Sequence, residues 1–296
     1  MSNLNNFMQT KIERPFLSIV IANYNYGSLL PSAIESIINQ DCEDYELIIV
    51  DGGSTDESVD VIKKYKDYIA WWVSEPDSGQ SNAFNKGFAH AKGQFLTWLN
   101  ADDILLPGTI HAVKKALLSH PYADYATGNF VRFLNDTQIV SQAPWGPSFL
   151  PQWLQGKGRF NPIYGPTTFW SKRSYEKLGG IDESLHYTMD VEYWARLTMN
   201  GYKQVRVNHY CWAFRMHDSS KTAEFGSHER DMAVKKKMRE ELKYIEEKTG
   251  YKPTPFWRYI GYGMRIFDGS AIKMLYNQLF VKGRKLVDCF NILHTI

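Results

Sequence analysis

Asp102 and Asp103 stand side by side at the end of an apolar run, Gln94-Phe95-Leu96-Thr97-Trp98-Leu99, with a Pro107-Gly108 break a few residues on. Two like charges at the C-terminal end of a strand repel, so a cation or a hydrogen-bond network has to hold them. Open α/β sheets bind their ligands at the carboxyl ends of strands. Oxygen donors suit Mg²⁺ or Mn²⁺, which take phosphate oxygens as remaining ligands. Taken alone, the pair reads equally well as a solvated turn before a helix.

The surrounding elements decide what such carboxylates face. Phe16–Ala22 is β-branched and nearly charge-free, as a buried strand requires, and Asn23-Tyr24-Asn25-Tyr26-Gly27 is its exit loop. Leu30, Ala33, Ile34, Ile37 and Ile38 recur at helical spacing, with Pro31 in the first turn. Glu46–Val50 is a second strand ending in Asp51-Gly52-Gly53, after which Ser54 and Glu57 have capping-box spacing. A short strand at Ile69–Val73, a helix around Asn82–Ala91 and the strand before Asp102 complete a strand-helix alternation. That alternation predicts a doubly wound parallel sheet for residues 15–120. The stretch 121–189 is rich in aromatics, Pro and Gly and reads as strands and long loops. Helices are expected at Thr188–Asn200 and His228–Lys248, and two amphipathic ones across 255–290.

The whole chain narrows the function classes. Its 296 residues carry a net charge of +2, so no global field favours nucleic acid. Cys42, Cys211 and Cys289 lie in no metal or redox spacing and read as free thiols in a reducing compartment. No apolar run reaches the length of a membrane span and no signal-peptide pattern is visible, so the expectation is a cytoplasmic protein. From Tyr251 to Ile296 the chain has five more basic than acidic residues, among many aromatics. This segment suits an anionic membrane surface, on the inner face of the plasma membrane. It equally suits packing on the domain's own back or a homodimer contact, and the sequence leaves all three open.

Five motifs then fall in one order: Ser18-Ile19-Val20-Ile21-Ala22-Asn23-Tyr24-Asn25; Ile49-Val50-Asp51-Gly52-Gly53-Ser54-Thr55-Asp56; Glu75-Pro76-Asp77-Ser78-Gly79-Gln80-Ser81-Asn82-Ala83-Phe84-Asn85-Lys86-Gly87; Leu99-Asn100-Ala101-Asp102-Asp103; and Met189-Asp190-Val191-Glu192-Tyr193-Trp194-Ala195-Arg196. Over about residues 16–220 the series closely resembles the family 2 glycosyltransferases, inverting enzymes of the GT-A fold that include makers of bacterial cell-surface polysaccharide. The resemblance implies a mostly parallel α/β sheet flanked by helices. It implies a glycosyltransferase domain over 1–225, with a nucleotide-binding half at about 16–120 and an acceptor half at about 121–225. Residues 226–296 would form a C-terminal helical extension.

It also implies roles. Asp51 would accept from the ring N–H of a uracil base, and Ala22, Asn23 and Tyr24 would touch the nucleotide. Asp77, Gln80, Asn85, Asn100 and Ala101 would line the nucleotide-sugar pocket. The family's metal motif is Asp-x-Asp; here Asn100 fills its first position, leaving Asp102 as the ligand for Mg²⁺ or Mn²⁺, with His217 completing the site. Asp103 would steady the loop or lie behind the metal. Asp190 would be the catalytic base, with Met189 in place of the usual Glu. A helix N-terminus favours its ionised form, which makes it ready at neutral pH. Glu192 lies about 200° around that helix from Asp190, whereas Trp194 shares its face. The implied partners are a UDP-sugar donor and a glycan or lipid-linked acceptor, with aromatics such as Trp145, Trp153, Tyr164, Phe169 and Trp170 available for acceptor rings or for the core.

Two other classes keep a place. A nucleotidyltransferase would carry a Gly-rich basic loop after the first strand, where Asn23–Gly27 stands instead. A non-catalytic nucleotide-sugar-binding protein is compatible with the Asn100 and Met189 departures. A dinucleotide oxidoreductase is excluded by the lack of a Gly-x-Gly-x-x-Gly loop.

Overall fold

Four largely apolar strands from the N-terminal half pair in parallel between helices, which cover them. In the computed structural model β1 (Leu17–Asn23), β2 (Tyr45–Asp51), β3 (Trp71–Ser74) and β4 (Phe95–Asn100) lie in the order β3-β2-β1-β4. They are connected through α1 (Leu30–Ile38), α2 (Ser58–Lys64) and α3 (Gln80–His90). The structure describes residues 14–134, 138–143, 167–217 and 228–251, with positions 272, 275, 279, 282–286 and 289 further on.

The second half extends the same sheet. It contributes β5 (Ile104–Leu105), α4 (Thr109–Ser119), β6 (Tyr125–Leu134), β7 (Gln138–Ala143), β8 (Thr168–Ser171), α5 (Lys172–Leu178), α6 (Met189–Met199), β9 (Gln204–Met216) and α7 (His228–Thr249). Nine strands result, running on from β4 through β8, β6 and β9 to β5, with β7 beside β6. Strand β8 is antiparallel to both β4 and β6, while β6 and β9 are parallel. The N-terminal half is therefore the doubly wound parallel sheet expected from the strand-helix alternation.

Register aligns the strand ends that matter. Asn23 pairs with Asp51, Asp51 with Ser74, and Ala22 with Asn100. Helix α3 approaches β1 so closely that a Cβ on Gly87 would lie 2.3 Å from a Val20 methyl, which only glycine permits. Behind β4, Trp98 sits 5.1 Å from Phe84, 4.9 Å from Trp170 and 5.4 Å from Trp194 between ring centroids. Burying rings of this size contributes roughly 4–6 kcal/mol each in transfer free energy. Phe169 and Trp170 thus belong to the core, and Trp145, Trp153 and Tyr164 lie outside the described residues.

The capping box is not formed. Helix α2 begins at Ser58 after Glu57, whose side chain makes no cap bond, and Asp56 Oδ1 accepts from Ser58 N at 3.0 Å. Ser54 instead spends its hydroxyl on Asp51, a charge-assisted bond that outcompetes a neutral cap. Most of the expected 255–290 helices lie outside the described residues; Leu286 and Cys289 are buried in a small cluster with Val131, Phe133 and Tyr210. Among the described residues no helix is long and apolar enough to cross a membrane.

Candidate active site

The carboxyl ends of β1, β2 and β4 open onto a cavity of about 860 Å³. Of the residues expected there, Ala22, Asn23, Tyr24, Asp77, Gln80, Asn100, Ala101, Asp102 and Asp190 line it. Asp51 and Asn85 do not, and His217 stands behind the wall, against Asp102 and the ring of Tyr26.

Asp51 is fully buried, and both its oxygens are occupied. Oδ1 accepts from Asn23 Nδ2 at 2.6 Å and Ser54 Oγ at 2.5 Å; Oδ2 accepts from Ser54 N at 3.0 Å and Ser74 Oγ at 2.6 Å. Burial raises its pKa, but these donors outweigh it and hold the carboxyl below its ordinary value. A carboxylate offers about four lone-pair sites, so none is left open for a base N–H. Asp51 orders three strand ends and fixes the amide of Asn23, whose buried Oδ1 has no protein partner. At this end of the cavity Asp77 Oδ1 accepts from Gly79 N at 2.8 Å. Its Oδ2 lies where a Cβ on Gly52 would come within 2.9 Å. Tyr24 is 60% exposed at the rim, after which Asn25 adopts a positive φ of 56°.

Asn85 is a strut rather than a wall residue. Its Oδ1 accepts from Tyr175 Oη and Ile181 N, and its Nδ2 donates to Ile181 O, tying α3 to the loop after α5. Asn100 is similarly committed: its Oδ1 accepts from Gln80 Nε2 at 2.8 Å and its Nδ2 donates to Asp103 Oδ2 at 2.8 Å.

The two adjacent aspartates part company. Strand β5 pairs with β9, Ile104 opposite Ala213, and this brings the end of β9 over the Asp102-Asp103 turn. Asp103 is 1% exposed; it accepts from Arg215 N at 2.9 Å as well as from Asn100. Burial first, then the neighbouring Asp102 charge, push its pKa well above the ordinary value. Asp102 faces the cavity, and its Oδ2 lies 3.0 Å from His217 Nε2. Arg215 Nε donates to the Asp102 carbonyl at 2.8 Å. Asp103 is thus the internal brace and Asp102 the outward carboxylate.

From a separate element, Asp190 is the second residue of α6, with Thr188 as N-cap, and its Oδ1 accepts from Val191 N at 2.8 Å. Burial raises its pKa to about 6, against the lowering by the backbone N–H groups. The expected stabilisation at a helix N-terminus is outweighed by desolvation, yet at neutral pH the carboxylate form still prevails. Met189 fills the position of the family's usual Glu with a sulfur that accepts from Ser81 Oγ at 2.9 Å. Glu192 faces away from the cavity, fully buried and ion-paired to Arg196 and Lys248. Trp194 stacks on Trp98, which itself lines the cavity. His186, Tyr187 and Phe214 also line the cavity; they sit outside the five motifs, and tertiary proximity finds them.

Comparison with known proteins gives the family and the fold. The profile of Glycosyl transferase family 2 matches residues 18–179. The chain is 39% identical over 100 residues to an uncharacterised glycosyltransferase of Nostoc sp., covering 33% of this chain and 31% of that protein. It is 34% identical over 121 residues to the PGL/p-HBAD biosynthesis glycosyltransferase of Mycobacterium bovis, covering 40% of this chain and 47% of that one. The matches thus span about a third to a half of these relatives' lengths. S. aureus TarS 1–349 in complex with UDP-GlcNAc has a TM-score of 0.56 at 15% identity, over 74% of this chain and 64% of that one. The mannosyltransferase PcManGT from Pyrobaculum calidifontis, in complex with GDP-Man and Mn²⁺, has a TM-score of 0.54 at 18% identity, over 73% and 59%. At such identities these two structures share the fold. The profile spans more than half of the chain, and on that ground the chain belongs to glycosyl transferase family 2.

Proposed function

We propose that this protein is an inverting glycosyltransferase that moves a sugar from a nucleotide-sugar, of the UDP type, to a hydroxyl of a glycan or lipid-linked acceptor in cell-surface polysaccharide synthesis. The observation that supports it most is that Asp102 and Asp190, from separate elements, share one cavity with the exposed ring of Tyr24. Tyr24 stacks on the base, and Asp77 and the side-chain Oδ1 of Asn23, whose amide Asp51 orients, accept from it. Asp190 takes the proton of the acceptor hydroxyl as its oxygen attacks the anomeric carbon. The bond from that carbon to the diphosphate oxygen breaks on the opposite face, which inverts the configuration. Holding the two substrates in line supplies much of the acceleration.

A divalent cation fits the residues present. Among the described residues no three His, Cys, Asp or Glu side chains converge on one point. Asp102 Oδ2 and His217 Nε2 nevertheless lie 3.0 Å apart, a carboxylate oxygen and an imidazole nitrogen of the kind that suits Mn²⁺ and is acceptable to Mg²⁺. Asp102 and His217 would hold Mg²⁺ or Mn²⁺, which when bound neutralises charge on the departing diphosphate.

Contact with an anionic membrane is part of the same proposal. Ile272, Leu275 and Leu279 are helical, 57–72% exposed, and spaced along one face, with exposed Lys282, Arg284 and Lys285 just beyond.

Calorimetry with UDP and GDP, each with Mn²⁺ and with chelator, tests the donor site, and hydrolysis of UDP-GlcNAc and GDP-mannose tests the chemistry. Tight UDP binding that depends on Mn²⁺, together with slow hydrolysis, is the expected result. Binding without hydrolysis would favour a non-catalytic sugar-nucleotide module, and preference for GDP would reject the uracil reading.

A further inference from the structure

Helix α7 lies beyond the residues matched by the family profile, and its composition reads as a charged surface helix. Three of its residues, Glu241, Ile245 and Lys248, recur at i, i+4 and i+7 and so share one face. That face is turned to α6 and the chain leading into it. Ile245 is 2% exposed and sits in the main core. Lys248 Nζ bridges Asp182 Oδ2 at 2.6 Å and Glu192 Oε1 at 2.8 Å, and Tyr244 Oη donates to Asp182 at 3.0 Å.

Glu241 makes the most specific contact. It is 4% exposed, and its oxygens collect three successive backbone N–H groups: His186 at 2.9 Å, Tyr187 at 2.9 Å and Thr188 at 3.0 Å. Thr188 Oγ1 donates as well, at 2.9 Å, instead of capping α6 itself. Burial raises the carboxyl's pKa, but the donors from 186–188 outweigh this and hold it below the ordinary value. A buried carboxylate is costly unless so satisfied, and charge-assisted bonds are the strong class. The segment it grips supplies two residues of the cavity wall, His186 and Tyr187, and leads within two residues to Asp190.

We propose that Glu241 is a positioning residue for glycosyl transfer: from α7 it fixes the 186–188 segment, and through it the placement of Asp190 and Tyr187 against the acceptor. This rests on the reading of Asp190 as base given above. The Asp51 row and Asp102 belong to other elements, so loss of Glu241 should spare donor binding. A general base displaced by about 1 Å is enough to cost on the order of 10²-fold in rate.

The test compares full-length wild type, Asp190→Asn, Glu241→Gln and Glu241→Asp. The readouts are UDP-GlcNAc and GDP-mannose hydrolysis with Mn²⁺, UDP affinity by calorimetry, thermal midpoint, and amide exchange of residues 186–188. Glu241→Gln puts an NH₂ group where backbone donors point; it should lower kcat on the order of 10²-fold. UDP affinity should stay within about twofold, with faster exchange confined to the segment. Glu241→Asp keeps the charge and should recover part of the rate. Full activity of Glu241→Gln beside an inactive Asp190→Asn overturns the positioning role alone. A parallel fall of kcat, UDP affinity and thermal midpoint in both Glu241 variants also overturns it, marking Glu241 as a general fold contact. Full activity of Asp190→Asn beside an inactive Glu241→Gln instead overturns the base assignment and, with it, this proposal as stated. A wild type that hydrolyses neither donor overturns both.

Discussion

Asp102 and His217 are 115 residues apart in sequence, yet Oδ2 of one lies 3.0 Å from Nε2 of the other. The pairing of β5 with β9 brings this about, by laying the end of β9 across the turn after β4. The same pairing gives Asp103 to the interior and Asp102 to the cavity.

Asp102→Ala and His217→Ala should each weaken Mn²⁺-dependent UDP binding by at least about 10–100-fold, the cost typical even of residues that only orient a metal ligand. Asp103→Ala should act on stability instead. It strips the acceptor from Arg215 N and Asn100 Nδ2, at about 1–3 kcal/mol for each buried group left unsatisfied. Calorimetry and thermal melts on the three variants separate the two outcomes. Equal loss of UDP binding in Asp102→Ala and Asp103→Ala, with folding intact, would contradict this division.

Asp190→Asn should leave UDP affinity unchanged and lower turnover by roughly 10²–10⁴-fold, the usual worth of a general base. The base works only when ionised. With the carboxyl raised to about 6, wild-type kcat should climb with pH through that value and level off above it. A profile flat from pH 5 to 8, or one with the same limb in Asp190→Asn, would assign the proton transfer to another group.

Asp51→Asn should destabilise the protein at neutral pH, because an amide nitrogen would face donors that now meet a carboxylate oxygen. The folded pKa of Asp51 is depressed, so its contribution is present above the ordinary value of 3.8 and is lost as pH falls from there through the lower folded value. The gap in thermal midpoint between wild type and variant should therefore narrow below about pH 4. A gap that persists unchanged at pH 3 would mean that the hydrogen bonds carry no pH-linked stabilisation.

Tyr24→Ala should weaken UDP binding by about 1–3 kcal/mol, the usual worth of stacking one base on an aromatic ring. Stability should hardly change, since the ring is 60% exposed. Unaltered UDP affinity would move the base elsewhere in the cavity.

Leu275→Glu combined with Leu279→Glu should reduce flotation with anionic vesicles and leave UDP binding as it is. If both proteins float equally, the apolar stripe at 272, 275 and 279 does not bind lipid.

The sequence by itself determined the strands of the N-terminal half, the helices between them and the carboxylates at their ends. Burial on both faces of a parallel strand leaves a β-branched, charge-free run that is legible in one dimension, and the turns that follow need Gly and Asp. Helix α7 was legible too, as a helix, but not the face that makes it matter. Tertiary structure alone decided which polar atoms are already spent. Ser54 had the spacing of a cap and became a donor to Asp51; Asn85 stood in a pocket motif and became a strut to Ile181. Glu241, one acid among many on a charged helix, closes on the amides of 186–188 across more than fifty residues. Periodicity records whether a side chain is buried, because burial repeats with the local geometry of the chain. Hydrogen-bond partners depend on strand register and helix docking, and those are set by contacts that no local pattern contains.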